Sequence, residues 1–199
     1  MNEFWINIIA ALLMGYSLGS IPFGLVLTKL AGGGDIRDIG SGNIGATNVL
    51  RSGRKGLAAL TLLLDLLKGF AAVWLAREFL PGGETLAAAG AFFGHLYPVW
   101  LKFKGGKGVA TYAGIMFGLL WQGGVVYAVT WIGALLIFRI SSVAGLLAAV
   151  VTPVAAAYFG RYDLVAMLIA CSLIIFWKHR NNIENLINGT EPRVGKSKN

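Results

Sequence analysis

Charge is scarce in this chain. Only 13% of its 199 residues are Asp, Glu, Lys or Arg, whereas an ordinary soluble domain carries about 25%. Cysteine is nearly absent. The single Cys171 excludes an intrachain disulfide, and its place within an apolar run marks it as an inert core residue. No Cys/His/Asp cluster has the spacing of metal ligands, so neither a metal nor another cofactor is expected. No internal repeat stands out, which argues against an inverted-repeat transporter. The first residues hold Glu3 and no Lys or Arg, and the first apolar run is too long for an h-region, so no signal peptide is expected. The net charge of +8 would suit a nucleic acid. The cations, however, cluster in short loops between apolar runs, which is the footprint of membrane topology, and no nucleic-acid partner is expected.

What the chain has instead is apolar length. It is 56% hydrophobic with a mean hydropathy of +0.70. A spanning helix needs about 20 mostly apolar residues, and the pattern predicts an all-α integral membrane protein with about seven transmembrane helices. The runs are Trp5 to Leu30, Leu57 to Trp74, Leu86 to Leu101, Val109 to Leu120, Gly124 to Phe138, Val143 to Phe159 and Leu164 to Trp177. Pro22 is expected to kink the first, because it lacks a backbone donor and clashes with the preceding turn. The third and fourth are short. Gly114 and Gly118 in the fourth suggest a tilted span or a re-entrant beginning. One domain fills residues 1–199, with a polar tail from 188 to 199 whose end is expected to be disordered. Loops after the odd-numbered spans hold 14 of the 17 cations. By the positive-inside rule the N-terminus lies outside and the C-terminus in the cytoplasm.

Three donor-rich segments then share the cytoplasmic face. The first is Ser41-Gly42-Asn43-Ile44-Gly45-Ala46-Thr47-Asn48, followed by Arg51. A helix from Ala46 would set Thr47 and Arg51 on one face at i, i+4, with Asn48 beside them. Arginine grips phosphate bidentately while hydroxyl and amide groups donate to its other oxygens. The plainer reading is a surface loop with Ser41, Asn43 or Thr47 as an N-cap, but such a loop rarely needs so many donors. The second segment, Gly105-Gly106-Lys107-Gly108, resembles a phosphate loop without the Walker pattern, since Leu101 and Gly108 stand where that motif needs Gly and Ser or Thr. Its glycines would turn backbone N–H groups toward an oxyanion, with Lys107 as a point charge and a helix N-terminus following. It reads equally as a basic topology loop with glycine turns. The third, His179-Arg180-Asn181-Asn182-Ile183, sets His179 and Asn182 at i, i+3. His179 is a hydrogen-bond donor, a proton carrier or simply an interfacial histidine. Ser141 and Ser142, after Arg139, are a helix N-cap or phosphate donors. Asp65 and Lys68 lie inside the second run at i, i+3, where mutual pairing is the cheaper explanation than chemistry. His95 stays open between roles, and the tryptophans mark interfaces and cores.

These segments, with Gly19-Ser20-Ile21-Pro22-Phe23-Gly24, Gly94-His95-Leu96-Tyr97-Pro98-Val99 and Gly189-Thr190-Glu191, resemble the bacterial acyl-phosphate:glycerol-3-phosphate acyltransferases in order and spacing along nearly the whole chain. The resemblance implies a seven-helix enzyme of the bacterial inner membrane with its active site facing the cytoplasm. It would move a fatty acyl group from acyl phosphate to the 1-hydroxyl of glycerol 3-phosphate, giving lysophosphatidic acid and inorganic phosphate for phospholipid synthesis, without a metal. It also implies roles. Lys107, Arg51 and Asn182 would hold glycerol phosphate. Ser41, Asn43, Thr47 and the loop Gly105, Gly106 and Gly108 would hold the acyl-phosphate head, with Gly42 and Asn48 beside them. His179 and Glu191 would support the site. The family's substrate-contacting serine falls on Ser141 or Ser142, and the motif does not choose between them. An acyl phosphate is already activated, so aligning two anions and stabilising charge suffices, with the acyl chain between helices in the bilayer and membrane lipid around them. A transporter of phosphorylated metabolites would need polar residues through the membrane depth, where the outer halves of these runs are apolar. A non-enzymatic scaffold leaves the donor-rich segments unexplained.

Overall fold

The structure is a computed structural model that describes residues 2–195, with side chains from residue 5 onward. Lys196 and Lys198, counted above toward orientation, and the tail end at 196–199 lie outside the described residues. Every described element is helical. The chain divides into two units, Met1–Leu119 and Leu120–Asn199.

The first unit holds α1 (Asn2–Gly19), α2 (Phe23–Leu30), α3 (Ala46–Arg51), α4 (Lys55–Phe79), α5 (Glu84–Leu96) and α6 (Val109–Leu119). The break between α1 and α2 falls at Ser20-Ile21-Pro22, as the proline dictates. The long contacts are made through glycine. A Cβ on Gly15 or Gly19 of α1 would overlap the backbone of Ala87 or Ala91 of α5, and one on Gly90 or Gly94 would overlap that of Leu12 or Tyr16. Two Gly-x-x-x-Gly ridges thus face each other, so the backbones approach closely where lipid offers no hydrophobic drive to association. The same device joins α4 to α6, with Gly69 against Thr111, Gly114 against Leu66 and Gly118 against Val73. Gly114 and Gly118 therefore make a close helix contact in a continuous α6. Arg77 of α4 donates to the Gly118 carbonyl at 2.7 Å, satisfying a carbonyl of the last turn of α6.

The second unit holds α7 (Trp121–Phe138), α8 (Ser141–Tyr158), α9 (Tyr162–Lys178) and α10 (Arg180–Ile187), the last bent 58° from α9. Pro153 sits inside α8 and cannot donate to the Ala149 carbonyl one turn back. Ser172 of α9 donates to that carbonyl at 2.7 Å, so the proline's lost bond becomes a helix–helix bond.

Among the described residues, four stretches suffice by length and composition to cross a membrane: Trp5–Leu30, Lys55–Phe79, Trp121–Phe138 and Ser141–Tyr158, with a fifth if α9 and α10 count as one. With 13 and 11 residues, α5 and α6 are each about 15–20 Å long, short of a hydrocarbon core of about 30 Å. Exposed Leu13, Leu63, Val129, Leu136, Val154 and Leu173 give these helices an apolar outer surface.

Candidate active site

In the first unit, the Ser41 segment is held by a small core of Leu25, Ile36, Ile44, Val49 and Ala58, against which Leu50, Leu57 and Leu101 pack. Leu101 belongs to the 3-10 turn Val99–Leu101, four residues before the glycine loop begins. One core therefore anchors both polar segments of this unit.

Asn48 organises the first segment. It is 2% exposed, and its amide donates to the carbonyls of Ile36, Ile39 and Asn43 at 2.8, 3.0 and 2.8 Å. Its Oδ1 accepts from the Ser41 backbone N–H at 3.0 Å. Asn48 thus spends its polar atoms on the loop. Asn43 Oδ1 accepts from the Gly45 N–H at 2.9 Å, turning the chain into α3. The N-cap is Gly45, without a side-chain cap bond, so none of Ser41, Asn43 and Thr47 fills the cap role of the plainer reading. Ser41, Gly42 and Arg51 are exposed and Asn43 and Thr47 partly so. The helix from Ala46 places Thr47 and Arg51 on one face, as the spacing predicts. Upstream, Arg37 is 2.6 Å from Asp35, and its guanidinium holds the Asp35 carboxyl well below the usual carboxylate range.

The glycine loop departs from the expected cradle. Gly105 and Gly106 donate their backbone N–H groups to the carbonyls of Leu96 and His95 at 3.2 and 3.0 Å. They cap the end of α5 rather than facing outward. Each glycine is there for close approach. A Cβ on Gly105 would strike the His95 and Leu96 carbonyls, one on Gly106 the His95 ring, and one on Gly108 the rings and methyls of Phe92 and Leu96. Gly108 also has φ +88, which L side chains avoid. The loop is clamped to α5, with partly buried Lys107 between two buried glycines. Helix α6 begins at the next residue but one, as expected.

In the second unit the gathering residue is Glu191, 8% exposed. Its Oε1 accepts from Ser142 Oγ at 2.7 Å and Asn182 Nδ2 at 2.6 Å, and its Oε2 from Asn185 Nδ2 at 3.3 Å. The Asn185 carbonyl accepts in turn from the N–H groups of Thr190 and Glu191 at 2.8 and 3.2 Å. Val194 N–H then donates to the Arg139 carbonyl at 2.7 Å. The tail through Val194 is therefore docked on the start of α8, well past the point where the sequence turns polar. Ser142 is buried on Glu191 while Ser141 is partly exposed. The N-cap of α8 is Ile140, so neither serine caps the helix. His179, 3% exposed, sits at the bend, where its Nδ1 is 2.8 Å from the Ile175 carbonyl. An imidazole whose Nδ1–H is given to that carbonyl is fixed in ring orientation and tautomer. Among the described residues no group of three or more His, Cys, Asp or Glu is placed to hold a metal ion.

Sequence reasoning missed the Glu191 hub as a geometric feature. Three donors on one carboxylate from Ser142, Asn182 and Asn185 cannot be read from spacings of 49, 9 and 6 residues. The facing glycine ridges were available as Gly-x-x-x-Gly spacings in two apolar runs.

The model of the family described as glycerol-3-phosphate acyltransferase matches residues 9–189. The chain is 57% identical over 192 residues to a glycerol-3-phosphate acyltransferase of Rhodopseudomonas palustris (strain HaA2), covering 96% of this chain and 97% of the relative. It is 60% identical over 185 residues to one from Erythrobacter litoralis (strain HTCC2594), covering 93% and 94%. Among solved structures, the fold is similar to PlsY (YgiH), an integral membrane glycerol 3-phosphate acyltransferase. In its glycerol 3-phosphate form the TM-score is 0.87 at 36% identity, with 96% of each chain covered. In its lysophosphatidic acid form the TM-score is 0.86 at 35% identity, covering 94% of this chain and 95% of that one.

Proposed function

The chain belongs to the glycerol-3-phosphate acyltransferase family, and from that premise we propose that it transfers a fatty acyl group from acyl phosphate to the 1-hydroxyl of glycerol 3-phosphate. The products are lysophosphatidic acid, for phospholipid synthesis, and inorganic phosphate. The observation that carries the reading is the near full-length likeness to an enzyme solved in a glycerol 3-phosphate form. The reading takes residues 1–199 as one catalytic domain of the bacterial inner membrane. It has seven crossings, made by α1 with α2, and by α4, α5, α6, α7, α8 and α9, the short α5 and α6 being accommodated by local thinning of the bilayer. The N-terminus is outside, and the C-terminus and the chemistry are on the cytoplasmic face, where the loop cations fall.

The chemistry asks little of the protein beyond alignment and charge. The glycerol 1-oxygen attacks the acyl carbon, the bond from that carbon to the phosphate oxygen breaks, and phosphate leaves. The hydroxyl proton passes to the phosphate of the donor. In the first unit, Lys107 and Arg51 supply cations for the phosphate of glycerol 3-phosphate. Ser41, Asn43 and Thr47 donate to the acyl-phosphate head, and Asn48 fixes the loop that carries them. The Gly105–Gly108 loop sets Lys107 at the N-terminus of α6, whose dipole favours an anion. In the second unit, Asn182 orients the glycerol phosphate, steadied by Glu191. Ser142 is the serine that Glu191 holds, and Ser141 is the one that stays accessible to substrate. His179 positions its neighbours.

The test is donor dependence. Purified protein given glycerol 3-phosphate should form lysophosphatidic acid from palmitoyl phosphate and not from palmitoyl-CoA, with activity kept in chelator. Equal use of acyl-CoA, or loss in chelator restored by a metal, would refute the reading.

A further inference from the structure

The glycine loop rests on a buried charged cluster to which the reaction above gives no part. Asp65 and Lys68 of α4 and His95 of α5 are 3%, 4% and 4% exposed. Lys68 Nζ lies 2.6 Å from Asp65 Oδ1 and donates to the Ile21 carbonyl at 2.7 Å. That carbonyl sits in the α1–α2 break. His95 Nδ1 lies 3.8 Å from the same Asp65 oxygen. On the other side of the ring is Gly106, where a Cβ would overlap Nε2, Cε1 and Cδ2, and the Gly106 N–H donates to the His95 carbonyl at 3.0 Å. Contact therefore runs from Ile21 through Lys68, Asp65 and His95 to Gly106, the residue before Lys107.

Charges this deep in a membrane segment are expensive. Filling space beneath the loop does not require them, since Phe92 and Leu96 do that for Gly108 with apolar groups. What the ion pair adds at His95 is an electrostatic bias: the Asp65 carboxylate, 3.8 Å from Nδ1, favours the positive N–H edge of the ring turned toward α4 and away from the loop. We propose that His95, aimed by Asp65 and Lys68, is a positioning residue that holds Gly106 and so sets where Lys107 presents its ammonium group. The consequence for catalysis rests on the reading of Lys107 as a phosphate ligand.

Two readouts test this. In kinetics with palmitoyl phosphate, His95→Ala raises KM for glycerol 3-phosphate on the order of 10-fold to 100-fold while kcat changes less. His95→Gln recovers part of the loss, and Asp65→Asn shifts KM the same way by less. Leu164→Ala, at a fully buried site of the second unit, lowers the melting temperature but leaves KM unchanged. Gly106→Ala raises KM by collision with the ring, and the His95→Ala/Gly106→Ala double variant has a lower KM than Gly106→Ala alone. The second readout is the rate at which Lys107 is labelled by an amine-reactive reagent, followed by peptide mass spectrometry. It changes several-fold in His95→Ala and not in Leu164→Ala. If His95→Ala does not fold, His95→Gln and Gly106→Ala carry both readouts. Wild-type KM and labelling in the folded His95 variants, or losses that simply multiply in the double variant, overturn the proposal. A wild-type protein without acyl transfer, whose Lys107 labelling still responds to His95, refutes the functional reading and leaves the positioning role standing.

Discussion

Replacing Glu191 tests the second unit at its most connected point. The carboxylate takes two short hydrogen bonds, from Ser142 at 2.7 Å and Asn182 at 2.6 Å, and a long one from Asn185 at 3.3 Å. A hydrogen bond to a charged group contributes about 1.5–3 kcal/mol. Asn182 and Asn185 are partly exposed and regain water when the carboxylate goes. Ser142 is 4% exposed and does not. Glu191→Ala should therefore destabilise by about 2–4 kcal/mol, less than the sum of its bonds. For a chain of this size that lowers the melting temperature by roughly 4–16 °C. Glu191→Gln keeps an acceptor for Ser142 and Asn182 at about half the strength, so it should lose roughly 1–2 kcal/mol. The same series read as activity should fall in the same order, because Asn182 loses its anchor. The assays are thermal unfolding in detergent and turnover with both substrates. If Glu191→Ala melts with the wild type and keeps its rate, the hub does not hold the site.

Three further outcomes follow from the site and the fold. Lys107→Ala should lose about 2–5 kcal/mol of interaction with anionic substrate, visible in kcat/KM as a fall of roughly 30-fold or more in a protein that still folds; near-normal rates would refute the phosphate-loop assignment. With the proton passing to the donor phosphate as proposed above, His179→Ala should keep measurable turnover, lose less than Arg51→Ala or Lys107→Ala, and leave the acidic limb of the pH–rate profile in place; a folded, substrate-binding variant with no turnover, restored by imidazole, would instead make His179 the base. Gly94→Val should destabilise by more than the roughly 1–3 kcal/mol typical of overpacking, since the new side chain meets the Tyr16 and Ser20 backbone; recovery of wild-type melting would show that the α1–α5 contact is not glycine-dependent.

The helices were legible because apolar length is a local signal. All seven runs became helical, and the Ser20–Pro22 break fell where Pro22 forbids a helical bond. Element ends were less legible. The second helix runs on to Phe79 past Trp74, and the third stops at Leu96, where Tyr97-Pro98 turns the chain. The donor-rich segments were legible as composition, since Ser41, Thr47, Arg51, Lys107 and Asn182 stand out in an apolar chain. The direction of their polar atoms was not. Asn48 looks like a ligand in sequence, yet satisfies three carbonyls of its own loop. Gly105 and Gly106 look like a phosphate cradle, yet their N–H groups cap α5. Both are decided by tertiary neighbours, Ile36 and Ile39 for one and His95 and Leu96 for the other. The docked tail escaped notice for the same reason: a short polar stretch gives no sign that one buried carboxylate will gather donors from α8 and α10.

Acyl transfer from acyl phosphate to glycerol 3-phosphate is fixed by its product stoichiometry. Purified protein in detergent, supplied with palmitoyl phosphate and glycerol 3-phosphate, should release inorganic phosphate and form 1-acyl lysophosphatidic acid in equal amounts, with neither formed above background when either substrate is omitted. Phosphate release that is independent of glycerol 3-phosphate, or lysophosphatidic acid that does not appear by mass spectrometry, would rule out this reaction.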